Sequence, residues 1–362
     1  MPIRRKFMDP SRPALDAACG FLLSQHRSGD LADLRNVLVV VPGRRVGRRL
    51  LEILVTAAGR ESLVLTPPRI ETVGRLPEHL YPQQRPLAND LVQTLAWLDV
   101  LKRVSLETIA PFVPTPPDPE ETSSWLELAE LLRRQHTELA GDGLDFADVE
   151  RQAPADEARR WRAMRILQKS YLRRLDALQL WDVQTARLVA IQQRECHATA
   201  NIVLVGTADM NVAMRQMLDQ VADQVTALVF ASDTCSDRFD QYGCLVPEKW
   251  QDLQLHVDTQ RVHVVDGPSD QADAVARIIA SFEGRFRADE ITVGVPDNRI
   301  VPQIERQLQA IEVPSRWGPG RAIQATPPYQ LLAAVAAYVQ SNRFKDFAAL
   351  VDQSPFMSRC LR

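Results

Sequence analysis

The feature that most constrains the fold is the stretch at residues 36–54, NVLVVVPGRRVGRRLLEIL. Its five consecutive apolar β-formers precede a Pro-Gly turn, and apolar residues then recur at Val46, Leu50, Leu51 and Leu54. A short apolar run followed at once by helical periodicity predicts a buried strand that turns directly into an amphipathic helix. Strands buried on both faces are typical of parallel sheets covered by helices, so the stretch predicts an α/β fold.

Four arginines fall in the first two turns of this predicted helix: Arg44, Arg45, Arg48 and Arg49. The N-terminus of a helix carries a partial positive charge, so cations placed there are unfavourable. A bound anion such as a phosphate group would relieve this conflict. The alternative is a solvated helix face whose charges offset acidic residues elsewhere in the chain.

The charge of the whole chain gives no nucleic-acid signal, because 43 Lys and Arg against 46 Asp and Glu leave a net charge of −3. Residues 1–60, however, carry eleven Arg or Lys against five Asp or Glu, a local charge of +6 that leaves −9 for the rest. The basic character is concentrated around the predicted strand and helix, which favours a basic patch there.

The sequence also indicates a compartment. No apolar run reaches the ~20 residues that a membrane span needs, and the opening MPIRRKFMDP leads into no signal-peptide core. Five cysteines, scattered along the chain, are an odd number that favours free thiols over a disulfide framework. We therefore expect a cytoplasmic protein with no membrane partner.

The pattern along the chain predicts four segments. Residues 1–82 form the first part of an α/β domain, and residues 83–198, with apolar residues at three- and four-residue spacing, form a helical insert. Residues 199–262 form the second part of the first domain. Residues 263–362 begin a second, incomplete α/β unit.

Strands return after the insert as NIVLVG and VTALVFAS, separated by a helix. We expect the strands that end at Val41 and at Val205 to lie in one parallel sheet. In the last segment, RVHVV and ITVGVP are predicted strands, and Ser269 is the predicted N-cap of the helix that lies between them.

The residues that nucleotide hydrolysis and metal catalysis need are missing from the patterns tested. The loop G-x-x-x-x-G-K-[ST] does not occur, since none of the five lysines follows a glycine. No acid stands two residues before a lysine, as a PD-(D/E)XK nuclease requires, and no C-x-x-C, H-x-x-x-H or G-x-S-x-G pattern occurs. We therefore expect no catalytic residue, no metal site, and no ATP or Mg²⁺ cofactor in this chain.

The order of the segments resembles the N-terminal part of an AddB-type subunit, the inactivated-helicase partner in the AddAB class of double-strand-break repair helicase-nucleases. That class in turn resembles UvrD-like superfamily 1 helicases. VVVPGRRVGRRLLEIL is similar to the family's T-P-x-R-R-A-A-R-x-L segment, and RIETVGRLPEHL resembles its T-F-H-x-L-A segment. Both family segments face single-stranded DNA. The resemblance implies DNA contacts from seven residues: Arg44, Arg45, Arg48, Arg49, Arg69, Thr72 and Arg75.

A third resemblance concerns hydrolysis. NIVLVGTADMNVAMRQML is similar to the helicase pattern V-D-E-x-Q-D-T-N-x-x-Q-x-x-L-L, with Gly206 and Thr207 where the magnesium-holding Asp and the catalytic Glu would stand. The resemblance implies a degenerate P-loop NTPase-like helicase fold, with parallel sheets and an inserted all-helical subdomain. Family members usually continue into a C-terminal PD-(D/E)XK nuclease and often carry an iron-sulfur cluster.

The function that follows is a non-hydrolysing helicase-fold module. We expect it to bind single-stranded DNA or duplex DNA ends and to support an AddA-like helicase-nuclease subunit in break repair, within a parent exonuclease complex. Two alternatives stay open. The chain could be a scaffold that docks such a helicase and touches DNA only incidentally, or an α/β enzyme with an unrecognised nucleotide-binding loop.

Overall fold

The computed structural model describes residues 2–352 except residues 252, 255, 256 and 321. The chain divides into two compact units, Met1–Leu253 and Gln254–Arg362, called here the N-terminal and C-terminal units. In the described residues, no helix combines the length and the apolar character that crossing a membrane requires.

Eight strands are formed in the described part of the N-terminal unit. They are β1 (Arg4–Phe7), β2 (Arg27–Ser28), β3 (Leu31–Asp33), β4 (Val37–Val41), β5 (Val64–Thr66), β6 (Arg69–Thr72), β7 (Asn201–Val205) and β8 (Val225–Val229). Five of them form an all-parallel sheet in the order β1-β8-β7-β4-β6, and the others form a small sheet in the order β2-β3-β5.

The prediction that β4 and β7 lie in one parallel sheet is confirmed. These two strands are adjacent and parallel, with Val37 opposite Asn201 and Val40 opposite Leu204. The α/β class with a parallel sheet is therefore correct for this unit.

The described residues form thirteen α-helices. They are α1 (Ala14–His26), α2 (Arg44–Arg60), α3 (Asp90–Arg103), α4 (Leu106–Ile109), α5 (Thr122–Gly141), α6 (Phe146–Gln152), α7 (Ala158–Ala177), α8 (Val183–Gln192), α9 (Val212–Asp219), α10 (Pro268–Ala280), α11 (Val301–Ala310), α12 (Pro327–Ser341) and α13 (Phe344–Asp352). Helices α3 to α8 all lie within the predicted helical insert.

The parallel sheet is covered on both faces. Helices α1 and α2 pack on the face that contains Val39 and Val41 of β4, whereas α8 and α9 pack on the face that contains Leu38 and Val40. Successive side chains of a strand point to opposite faces, so the unbroken apolar run of β4 is buried on both sides.

The insert is joined to the sheet by two chain segments that pair with each other. Leu87 on the entering segment forms a parallel bridge with Trp181 on the leaving segment. The amide of Ala88 donates to the Trp181 carbonyl at 2.8 Å, and the Trp181 amide donates to the Pro86 carbonyl at 3.1 Å. The insert also has its own core, in which Trp97 and Tyr171 stack at 4.3 Å.

A buried polar cluster ties the insert helices together. The fully buried Asp182 carboxylate, which caps α8, accepts hydrogen bonds from His136 Nε2 (2.9 Å), the Tyr171 hydroxyl (3.0 Å) and the Thr185 amide (2.6 Å). The Gln168 amide lies 3.0 Å from His136 Nδ1. His136 therefore contacts the carboxylate with one ring nitrogen and the Gln168 side-chain amide with the other.

The strand β1 was not predicted. Its sequence, RRKF, lacks the apolar pattern of a strand because it lies at the edge of the sheet and is mostly exposed. Its register is held instead by pairing with β8 and by Arg5, which donates to the backbone carbonyls of Ser236 and Phe239 at 3.0 and 2.8 Å.

Two predictions for the C-terminal unit are wrong. The segments RVHVV and ITVGVP form no strand, because the described residues of this unit supply no ladder with which their backbone could pair. Ser269 lies inside α10, whose N-cap is Gly267. Pro268 takes the first helical position, where its fixed φ and missing N–H are tolerated, and this moves the helix start upstream of Ser269.

Candidate nucleic-acid interface

The sheet has a point at which its connections diverge. The chain leaves β4 over one face through α2 and leaves the neighbouring β7 over the other face through α9. In open parallel sheets, ligands bind in the crevice that such a divergence creates at the carboxyl ends of the strands. The crevice lies here beyond Val41 and Val205.

The start of α2 is held close to this edge by a glycine. A Cβ atom at Gly47 would lie 2.9 Å from Ile70 Cγ2 on β6 and 3.4 Å from Val41 Cγ2 on β4. The helix can approach both strands only because that atom is missing. The N-cap Gly43 makes no side-chain capping bond, and the first turn contains no acidic residue.

The four arginines in the first two turns of α2 are all exposed. Arg49 is paired with Glu52 at 3.0 Å. Arg44, Arg45 and Arg48 form no hydrogen bond or ion pair with any residue that the structure describes. Because the uncapped helix N-terminus adds partial positive charge, this end of α2 is strongly electropositive.

The end of β6 adds to the same edge. Thr72 lies directly opposite Val41 in the strand register and is half-buried. Arg75 follows in a turn of 3₁₀ helix and is exposed, with no partner among the described residues. The parallel register thus brings Thr72 and Arg75 to the edge where α2 begins.

Arg69 does not join them. It is paired with Leu38 at the amino end of the strands, about 10 Å from Thr72 along β6. There it lies 3.7 Å from Glu71 and lines a cavity of about 290 Å³ with Arg35 and His79. Of the seven predicted DNA contacts, Arg69 lies at the amino ends of the strands, away from the start of α2, and Arg49 already has an internal partner.

No protein-family model and no curated protein sequence matches this chain.

The positions suggested for a degenerate magnesium site lie across the crevice, at the end of β7. Gly206 has φ of 63°, the left-handed region that favours glycine, and Phe230 fills the space beside its Cα. Thr207 is buried, and its carbonyl accepts a hydrogen bond from the Cys244 thiol at 3.4 Å. Burial, with the nearby Asp240 carboxylate, raises the pKa of Cys244 to about 12, so this sulfur is a neutral thiol.

The loop that precedes α1 is poorly suited to binding phosphate. Residues 8–13, MDPSRP, connect β1 to α1 at the same sheet edge, and Pro13 is the N-cap of α1. Pro10 and Pro13 have no backbone N–H, and phosphate-binding loops depend on such groups. Asp9 accepts a hydrogen bond from the Ser11 amide at 2.9 Å, which lowers its pKa and keeps a negative charge in the loop.

Arg187, which was not identified from the sequence, is a residue of the insert that holds the turn after β6 in place. Arg187 on α8 donates from Nε to Glu78 at 2.8 Å and from its terminal nitrogen to the Gly74 carbonyl at 3.1 Å. These bonds fix the turn that carries Arg75. Its sequence signal is its place in LWDVQTARLVAI, near the end of the predicted helical insert.

A metal centre is not assembled by the described residues, since they contain no group of three or more His, Cys, Asp or Glu side chains placed to hold an ion. The four described cysteines are free thiols, as predicted, and Cys360 lies outside the described residues. The edge therefore offers guanidinium groups, a hydroxyl group and helix amides, which are donors suited to phosphate oxygens.

Proposed function

We propose that the chain is a helicase-fold module that does not hydrolyse ATP and that binds single-stranded DNA. The binding surface is the arginine patch, defined as Arg44, Arg45, Arg48 and Arg75, with Thr72 as a backbone contact. The observation that carries the proposal is that these four arginines are exposed and unpaired among the described residues, at one edge of a parallel sheet next to its crevice.

The chemistry of the patch favours phosphate groups. Each guanidinium is a planar fork of N–H donors that matches two phosphate oxygens, and four of them could follow a strand backbone. Such contacts are independent of sequence, so we expect no base preference from the patch itself.

The same edge argues against nucleotide hydrolysis. Stabilising the transferred phosphoryl group requires a lysine, a metal-holding acid and a base. The loop at residues 8–13 offers two prolines and the Asp9 carboxylate instead, and β7 ends in Gly206 and Thr207. The support for a non-hydrolysing module is therefore chemical and comes from the residues that follow two strands, β1 and β7.

A second candidate function, docking of an AddA-like helicase-nuclease subunit, is favoured by a separate observation. Leu91 and Leu95 on α3 and Leu131 on α5 are exposed by 66%, 46% and 52%. The two helices are packed together and linked by the Thr94–Glu130 hydrogen bond at 3.1 Å. Large apolar side chains left exposed on two packed helices suit a protein contact surface.

The arginine patch is tested by the salt dependence of DNA binding. The triple variant Arg44→Gln, Arg45→Gln, Arg48→Gln removes three phosphate contacts. For single strands the slope of log K against log salt is about −0.7 for each contact, so it should become less steep by about 2, with affinity near 0.1 M salt lower by about a hundredfold. Fluorescence anisotropy with a labelled 20-nucleotide strand measures both quantities.

A matched control removes the same charge elsewhere. The control variant is Arg60→Gln, Arg194→Gln, Lys249→Gln, three exposed residues whose side chains form no hydrogen bond or ion pair with any described residue. It should bind the strand like the unaltered chain. Equal loss of affinity in both variants, or in neither, would refute the patch. An unaltered chain that has no DNA affinity but co-purifies with an AddA-like helicase would favour the docking function.

A further inference from the structure

Helix α7 of the insert is the most basic helix among those described. Its twenty residues, ARRWRAMRILQKSYLRRLDA, contain seven Arg or Lys and one acid, Asp176. The buried face of α7 is formed by Met164, Leu167, Tyr171 and Leu175. The cations therefore lie on the remaining, solvent-facing surface.

Four of these cations form a straight row. Arg159, Arg162, Lys169 and Arg173, with Ile166 between them, follow one another at alternating spacings of three and four residues, and all five are exposed. At 3.6 residues per turn, this spacing keeps side chains on one line along a helix. We call the four cations the α7 row. It extends about 21 Å from Arg159 to Arg173, since each residue advances 1.5 Å.

Most of the row has no internal partner. Arg162 is paired with Glu150 at 2.9 Å. Arg159, Lys169 and Arg173 form no hydrogen bond or ion pair with any residue that the structure describes. The other basic residues of α7 behave differently, since each is paired with an acid: Arg160 with Glu157, Arg165 with Glu150, and Arg174 with Asp99.

The isolated helix is electrostatically unfavourable. Arg165, Lys169 and Arg173 are successive like-charge neighbours at four-residue spacing. Arg159 and Arg160 also lie in the first turn, where the helix dipole is positive and no acid is present. A polyanion laid along the row would relieve both conflicts at once.

We propose that the α7 row binds the sugar–phosphate backbone of duplex DNA. The row is straight and rigid, and about 21 Å corresponds to roughly six phosphate steps of 3.4 Å along one strand of a duplex. Surfaces for single strands usually add aromatic side chains on which bases stack. Near the row, Trp161 packs edge-on against Phe146 and Tyr171 is buried, so the row offers phosphate contacts alone.

This site is separate from the arginine patch and does not depend on it. The test variant is Arg159→Gln, Lys169→Gln, Arg173→Gln, because glutamine keeps the helix propensity and removes the charges. Binding to a blunt 20-base-pair duplex should weaken by about three orders of magnitude at about 50 mM salt. The salt slope should fall by about 2.7, that is, three contacts at about 0.9 each.

Three comparisons decide the outcome. The control variant should bind the duplex like the unaltered chain, and the row variant should bind a 20-nucleotide single strand like the unaltered chain. The row variant should also keep the far-UV circular dichroism of the unaltered chain, which shows that a loss is not unfolding. If the arginine patch does not bind DNA, only the single-strand measurements change, and the duplex measurements still test the α7 row. The two proposals can therefore be refuted independently.

Two results would overturn the assignment. One is duplex binding with the same affinity and salt slope in the row variant as in the unaltered chain. The other is that the unaltered chain does not bind the duplex. That result would overturn the assignment even if the chain bound vesicles that contain phosphatidylserine.

Discussion

The buried Asp182 carboxylate gives the sharpest prediction about stability. Asp182→Ala removes the acceptor for His136, Tyr171 and the Thr185 amide inside the insert. An unsatisfied buried donor costs roughly 1–3 kcal/mol, and removing one member of a buried polar pair typically costs about 3–5 kcal/mol. We therefore expect the free energy of unfolding of the insert to fall by about 4 kcal/mol.

Two milder substitutions should reduce the free energy of unfolding by less than Asp182→Ala does. Asp182→Asn keeps an oxygen that can still cap α8, so its cost should be well below that of Asp182→Ala. Tyr171→Phe removes one hydrogen bond and should cost about 1 kcal/mol. The ring of Tyr171 still stacks on Trp97 in this variant, so the packing is unchanged.

The assay is urea unfolding followed by tryptophan fluorescence, since Trp97, Trp125 and Trp161 belong to the insert core. With a slope of about 1.5 kcal/mol per molar urea, the midpoint should fall by about 2.5 M for Asp182→Ala. Because a chain of two units need not unfold in one step, we assign to the insert only the transition that these tryptophans report.

The pH dependence of stability follows from the same carboxylate. Burial raises its pKa, but the hydrogen bonds from His136 and Thr185 outweigh burial and hold the pKa at about 2, below the ordinary value of 3.8. A depressed pKa stabilises the fold above pH 3.8 and loses that contribution as the pH falls towards 2. The contribution is about 2 kcal/mol. Asp182→Asn should lack this acid-dependent loss.

The reasoning fails if Asp182→Ala unfolds within about 0.5 M urea of the unaltered chain at pH 7. It also fails if Asp182→Asn and the unaltered chain lose stability in parallel between pH 4 and pH 2. Either result would mean that the carboxylate is not held by the partners described above.

Two further predictions concern the edge that carries the arginine patch. Gly47→Ala should destabilise the unaltered chain by about 1 kcal/mol, because the added Cβ would lie 2.9 Å from Ile70 Cγ2. In a chain that already carries Ile70→Ala, the same change should not be destabilising. Equal shifts of the urea midpoint in both backgrounds would contradict this steric clash. Arg187→Met should weaken single-strand binding several-fold without changing the salt dependence of that binding, because Arg187 positions the turn that carries Arg75. If fluorescence anisotropy instead shows that the slope of log K against log salt falls by about 0.7, Arg187 contacts a phosphate itself.

The parts of the fold that the sequence predicted are those in which burial leaves a pattern. The apolar runs of β4 and β7 predicted two buried strands of one parallel sheet, and the helical periodicity between residues 83 and 198 predicted the insert. The edge strand β1 carries charged residues because no strand among the described residues lies on one side of it, so it left no such pattern. RVHVV and ITVGVP have the composition of strands, but composition cannot supply the partner that a strand requires.

For the candidate site, the sequence identified residue types but not their placement. The Arg44 and Arg45 positions followed from the helix start, because a strand that turns directly into a helix fixes where the first turn lies. The separation of Arg69 from Thr72 could not be predicted, since it depends on which end of β6 each residue occupies. Arg187 acts across the chain on a turn more than a hundred residues away, and local sequence carries no sign of that bond.

The paired segments at Leu87 and Trp181 place the entry and the exit of the helical insert side by side. The order of strands in the sheet is consequently insensitive to how much chain lies between those two points. Related sequences can be expected to differ there by whole helices, gained or lost as a cassette, while the surrounding strands keep their neighbours. A short loop grafted between the two ends would offer a route to a minimal sheet domain, with α8 retained because it covers that sheet.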